Sequence, residues 1–110
     1  MKHYNINILV VDDDKDILYS GKKLLSRSGY VVTDCSSSDD ALQKFQHDPM
    51  AFDLVITDHV MPQMTGLTLS RKLKKLRIDI PIILCSGHTD HNITQAKLSE
   101  YDIDNFVQKP

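Results

Sequence analysis

Three consecutive aspartates, Asp12, Asp13 and Asp14, follow directly on the apolar run Ile8-Leu9-Val10-Val11. Three carboxylates a few ångströms apart repel one another by roughly 3 kcal/mol per pair, at an effective dielectric of ~20 and ~5 Å separation. Either water dissipates that repulsion or something positive belongs beside them. Further along, Asp58 ends the run Phe52 to Thr57, Ser86 follows Ile80 to Cys85, and Lys109 closes Asn105 to Gln108. Carboxylates, a hydroxyl and an ammonium are the groups a cation-assisted transfer of an anionic group requires. Each also has a plain structural reading. The aspartate run can cap a helix, Asp58 can start an Asx turn, Ser86-Gly87 can be a turn, and Lys109 can be a solvated strand end. What separates the readings is whether one fold brings all of these residues to one place.

The elements needed to do so are visible as alternation. Apolar strand-like runs cover Ile6–Val11, Tyr30–Cys35, Phe52–Thr57, Ile80–Cys85 and Asn105–Gln108. Between them lie segments of helical spacing. The first places Ile17, Leu18, Gly21, Leu24 and Leu25 on one face and closes at Gly29, with Asp14 at its start, where a carboxylate suits the helix dipole. The second follows the capping pattern Ser37-Ser38-Asp39-Asp40 and turns Ala41, Leu42 and Phe45 inward. The third begins near Thr65-Gly66 and carries Leu69, Leu73 and Leu76; the fourth, near Asp90 to Glu100, has Ile93, Ala96 and Leu98 as anchors. Short Val/Ile/Leu strands alternating with helices predict an α/β fold with a parallel sheet covered on both faces. In open sheets of this kind, ligands gather at the carboxyl ends of the strands, near the point where strand order reverses. Asp12, Asp13, Asp58, Ser86 and Lys109 all fall at such ends.

The totals agree with one small domain. The chain has 110 residues, 41% of them hydrophobic and 25% charged, and a net charge of −2 from 13 basic and 15 acidic side chains. This composition suits a soluble core and argues against a general polyanion binder. No apolar run is long enough for a membrane helix, and Met1 to Asn7 lacks the apolar stretch of a signal peptide. Cys35 and Cys85 both lie in strand-like segments and are expected as reduced core thiols, so a cytoplasmic setting is expected. The run Arg71 to Arg77, "RKLKKLR", reads as a helix with a solvated basic face because Leu73 and Leu76 interrupt it; direct nucleic-acid contact is not expected.

Four stretches, "VVDDD", "DHVMPQMTG", "CSG" and "NFVQKP", resemble the receiver domain of two-component response regulators, the CheY-like superfamily, over Ile6 to Pro110. Asp58 to Gly66 fits the family pattern D-x-x-M-P-x-M-x-G at every fixed position. The resemblance implies a flavodoxin-like three-layer sandwich whose five parallel strands run in the order 2-1-3-4-5, with residues 1–110 forming one receiver domain. It implies Asp58 as phosphoacceptor from a histidine kinase or histidine phosphotransfer protein. Asp12, Asp13, Asp58 and the Val60 backbone carbonyl would hold Mg²⁺. Ser86 would be the switch hydroxyl, Lys109 the partner of the phosphoryl group, Phe106 the rotating aromatic, and Lys109-Pro110 a cis peptide. The output would be a downstream domain or target protein, and a homodimer is left open. The family more often carries Thr where Ser86 stands; Ser keeps the donor.

Departures and rivals shape the expectation. The family continues past Pro110 into a fifth helix beside the first, and without a covering segment or partner that sheet face is expected to expose apolar surface. A dimer built on that helix would need those further residues. His59 and His88 are expected to line the mouth of the site, with His88 affecting water access to an acyl phosphate. His59, His88 and His91 lack a fixed metal-ligand spacing, so a zinc or nickel site is not expected. A phosphatase with an aspartyl-phosphate intermediate, like the haloacid dehalogenase group, would carry a second acid two residues after its nucleophile. Val60 stands there and cannot move a proton, so a turnover enzyme is not expected. A flavodoxin-like FMN binder would need a Gly/Ser/Thr-rich phosphate loop where the three aspartates stand. "CSGH" also leans toward receivers attached to hybrid sensor kinases.

Overall fold

A computed structural model describes residues 5–86 and the strand at 105–108. The order is β1 (Asn7–Val11), α1 (Lys15–Arg27), β2 (Val31–Cys35), α2 (Ser38–His47), β3 (Leu54–Asp58), α3 (Gly66–Leu76), β4 (Ile82–Ser86) and β5 (Asn105–Gln108). All pairings are parallel, and the sheet runs β2-β1-β3-β4-β5, the order the resemblance implied. The segment Asp90 to Glu100, expected as a fourth helix, lies outside the described residues, as do His88, His91, Lys109 and the Lys109-Pro110 bond.

Each of the three described helices starts where its sequence signals a cap. Asp14 Oδ1 accepts from the backbone N–H groups of Asp16 (3.0 Å) and Ile17 (3.2 Å). Ser37 Oγ accepts from Asp40 N–H at 3.1 Å, and Thr65 Oγ1 from Thr68 N–H at 3.3 Å. A cap of this kind contributes on the order of 1 kcal/mol. Just past the C-cap Ser28 of α1, Gly29 has a φ of 97°, the left-handed conformation that glycine adopts without steric cost.

Alternation along β1 divides the interior into two cores. Leu9 and Val11 face α2 and α3, where Phe45, Leu69, Leu73, Val55 and Ile82 are fully enclosed. Phe52, which precedes β3 rather than belonging to it, stacks on Phe45 with ring centroids 6.0 Å apart. Ile8 and Val10 face the other way, against Leu18 of α1, with Leu25, Leu54 and Ile56 packed alongside.

Two expectations for helix faces are corrected. Ile17 is 47% and Leu24 66% exposed, so only Leu18 and the partly buried Leu25 of the expected α1 face are packed inward. Together with Gly21, Ile17 and Leu24 line a shallow apolar groove on the outside of the helix. The apolar stripe is wider than the strip of sheet the helix touches, so one edge of it stays in water. Leu76 is likewise 42% exposed at the C-terminal end of α3, while Arg71, Lys72 and Lys75 form the solvated basic face expected there. Cys35 and Cys85 are not joined by a disulfide; they lie on β2 and β4, strands that are not neighbours in the sheet. No helix among the described residues is long and apolar enough to cross a membrane.

Candidate functional site

The order of strands reverses between β1 and β3. Their parallel register pairs Val11 with Thr57, which sets Asp12 beside Asp58 as the two chains leave the sheet. Asp12, Asp13 and Asp58 each offer a carboxylate oxygen, and these oxygens lie within 4.8 Å of one another. Asp12 and Asp58 are buried at 5% and 8% exposure, while Asp13 faces solvent. The cluster thus opens to water on the Asp13 side.

Local bonds hold these carboxylates. The Asp12 backbone N–H donates to Cys35 O at 3.1 Å, fixing the end of β1 against β2. Asp12 Oδ1 accepts from Asp14 N–H at 3.0 Å, turning the chain into α1. Asp14 itself caps α1 and stands outside the cluster, as expected. Asp58 is the last residue of β3, and Ser86 the last of β4, rather than the first residues beyond them; Ser86 is fully buried. Thr57, also fully buried, donates its hydroxyl to the Asp58 carbonyl at 3.0 Å.

After Asp58 the chain makes a tight loop to α3. His59 N–H donates to Cys85 O at 2.8 Å, and His59 O accepts from Gly66 N–H at 2.8 Å, closing the loop at its base. A side chain at Gly66 would collide with the Asp58 backbone oxygen and meet Leu84 Cδ1 at 2.8 Å and His59 Cα at 2.9 Å. Glycine at this position is therefore a packing requirement. Val60 projects its side chain outward, 60% exposed, so any contribution it makes to the cluster comes through its backbone. His59 does not simply line an open mouth: it is half-buried, and its Nδ1 is shielded from solvent with no hydrogen-bond partner among the described residues. Phe106 lies on β5 with its backbone opposite Leu84 of β4.

Sequence reasoning thus places Asp12, Asp13, Asp58 and Ser86 at one end of one sheet, and the structure brings the first three together. It missed Ser38, read only as part of a capping pattern, and Thr57, read only as strand.

The sequence profile of the response regulator receiver domain family matches residues 8–110, and the chain belongs to that family. Among characterised relatives, it is 42% identical over 81 residues to the two-component response regulator ARR14 of Arabidopsis thaliana, covering 74% of this chain and 21% of that protein. It is 31% identical over 104 residues to the response regulator SaeR of Staphylococcus epidermidis, covering 94% of this chain and 44% of that one. The chain therefore spans less than half the length of these relatives. Among solved structures, a receiver domain protein from Clostridium thermocellum superposes with a TM-score of 0.89 at 33% identity, over 96% of this chain and 82% of that one. The response regulator TrrA of Thermotoga maritima, solved in complex with Mg²⁺-BeF, superposes with a TM-score of 0.82 at 33% identity, over 96% and 87%. The chain is a receiver domain of the two-component type, with the flavodoxin-like, CheY-like fold.

Proposed function

We propose that residues 1–110 form one cytoplasmic receiver domain that acts as a phosphorylation switch, with Asp58 as phosphoacceptor. The observation that carries this reading is the cluster of Asp12, Asp13 and Asp58 oxygens at the switch point of the sheet. Three hard oxygen donors, two of them buried, suit Mg²⁺ better than a softer metal, and Asp13 keeps the site open to water and ligand. Asp12, Asp13, Asp58 and the Val60 carbonyl would hold the ion. Bound there, Mg²⁺ supplies the positive charge that offsets the carboxylates and the charge on phosphoryl oxygens.

An Asp58 carboxylate oxygen attacks phosphorus. The new O–P bond forms as the P–N bond of a phosphohistidine donor breaks, and the leaving imidazole regains a proton. Lys109 pairs with the transferred group, and Ser86 donates to one of its oxygens. Drawing Ser86 toward the phosphoryl oxygen leaves room for Phe106 to turn, so the surface around β5 changes shape for a target protein or output domain. Val60 offers no acid or base two residues after Asp58, which supports a switch over a turnover enzyme. The donor is a histidine kinase or histidine phosphotransfer protein.

A calorimetric Mg²⁺ titration tests the site. Wild type should bind one ion, and Asp13→Asn should bind it at least tenfold more weakly. Absence of Mg²⁺ binding to folded wild type would overturn the reading.

A further inference from the structure

The loop between Asp58 and Gly66 is held by a residue far from it in sequence. Ser38, the first residue of α2, is 3% exposed and donates its hydroxyl to the Met64 carbonyl at 2.8 Å. The Met61 sulfur lies 3.7 Å from the Ser38 hydroxyl oxygen. A serine hydroxyl has one proton to give, and the shorter contact, to a carbonyl, takes it. Ser37 already caps α2 through Asp40 N–H, so the Ser38 hydroxyl is not needed by its own helix.

The loop it reaches is under constraint. Gln63 has φ of 71°, the left-handed region that a residue with a side chain enters at a cost, and Met64 N–H donates to Pro62 O at 2.7 Å around it. Met61, 6% exposed, is plugged into the α2–α3 core. The base is closed by Gly66 N–H on His59 O. Val60 stands between that closed base and the Met61 plug, and the Met61 sulfur in turn lies against the Ser38 hydroxyl. Of the tethers on the loop's far side, only the Ser38 bond comes from a side chain of another element among those described.

We infer that Ser38 is a positioning residue for the cation site: its bond to Met64 O holds the loop in the shape that aims the Val60 carbonyl at the Asp12, Asp13 and Asp58 cluster. This rests on the proposed Mg²⁺ site. By linkage, an ion that binds the aimed loop better also strengthens the tether, tying the start of α2 to occupancy of the site. Loss of the hydroxyl leaves the carboxylates in place and frees the loop.

The test compares Mg²⁺ titrations of wild type, Ser38→Ala, Ser38→Thr and Ser37→Ala, with thermal melts in chelator. Ser38→Ala should weaken Mg²⁺ binding about threefold to tenfold, the range expected for one net hydrogen bond, and Ser38→Thr should recover much of it. Ser37→Ala removes a helix cap and so should lower the melting temperature in chelator while leaving Mg²⁺ affinity within about twofold of wild type. Equal Mg²⁺ affinity in wild type and Ser38→Ala would overturn the inference and leave the site standing. An equal loss of affinity in Ser37→Ala and Ser38→Ala would also overturn it, by showing only a general effect of α2 stability. No Mg²⁺ binding in wild type would overturn the site itself, and this inference with it.

Discussion

On the α2–α3 side of the sheet, Phe45, Leu69 and Leu73 are fully enclosed and Phe52 stacks on Phe45; on the α1 side, Leu18 is the helix's one buried residue, and Ile17 and Leu24 stand in water. Both sides are fed by the same strand, since Leu9 and Val11 point one way and Ile8 and Val10 the other. The difference shows which of the two cores backs the loop beside the carboxylate cluster. The loop that follows Asp58 is anchored in the deeper core through Met61, and α2 reaches back to it through Ser38. The α1 side contributes Asp14 and the turn that seats Asp12, while leaving apolar surface open.

Mutations chosen across the two sides sharpen or break that contrast. Phe45→Ala should cost about 3–5 kcal/mol of unfolding free energy, because it empties a fully buried ring site beside Phe52. A denaturant melt with a loss below about 1 kcal/mol would show that the α2–α3 core is not the stabilising side.

A smaller effect belongs to Cys35, which sits 1% exposed at the end of β2. Burial pushes its thiol up from the ordinary 9.0 to about 11. The folded pKa is the raised one, so the neutral thiol's contribution is fully present below pH 9.0 and is lost as pH rises through about 11. The loss is roughly 2–3 kcal/mol. The difference in stability between wild type and Cys35→Ala, followed from pH 8 upward, should shrink over that interval; a difference independent of pH would contradict it.

Smallest is Leu24→Ser on α1, expected to change stability by less than about 0.5 kcal/mol because the side chain is already 66% exposed. A loss as large as that of Phe45→Ala would mean that Leu24 is packed in solution.

The sequence made the β/α alternation legible because buried parallel strands are continuous apolar runs and the helices between them carry ordinary caps. Strand limits shifted by one or two residues: Phe52 and Ile80 read as strand but are core residues outside it, while Asp58 and Ser86 are strand residues rather than the first of a loop. Asp12, Asp13 and Asp58 were legible as a site because the switch-point rule puts strand ends together. The exposure of Ile17, Leu24 and Leu76 was not legible, since periodicity gives the direction of an apolar stripe and not the width of what covers it. Nor was Ser38. A contact across 26 residues from a helix's first turn to a loop carbonyl leaves no local pattern, and the adjacent Ser37 already explained the serine pair.

The central claim, that Asp58 accepts a phosphoryl group with help from Mg²⁺, is tested most directly by intact mass. Wild type and Asp58→Asn are incubated with acetyl phosphate, each with Mg²⁺ and with chelator. A single added phosphoryl group on wild type, dependent on Mg²⁺ and absent from Asp58→Asn, is the predicted result. No adduct on folded wild type under either condition, or an equal adduct on Asp58→Asn, would contradict it.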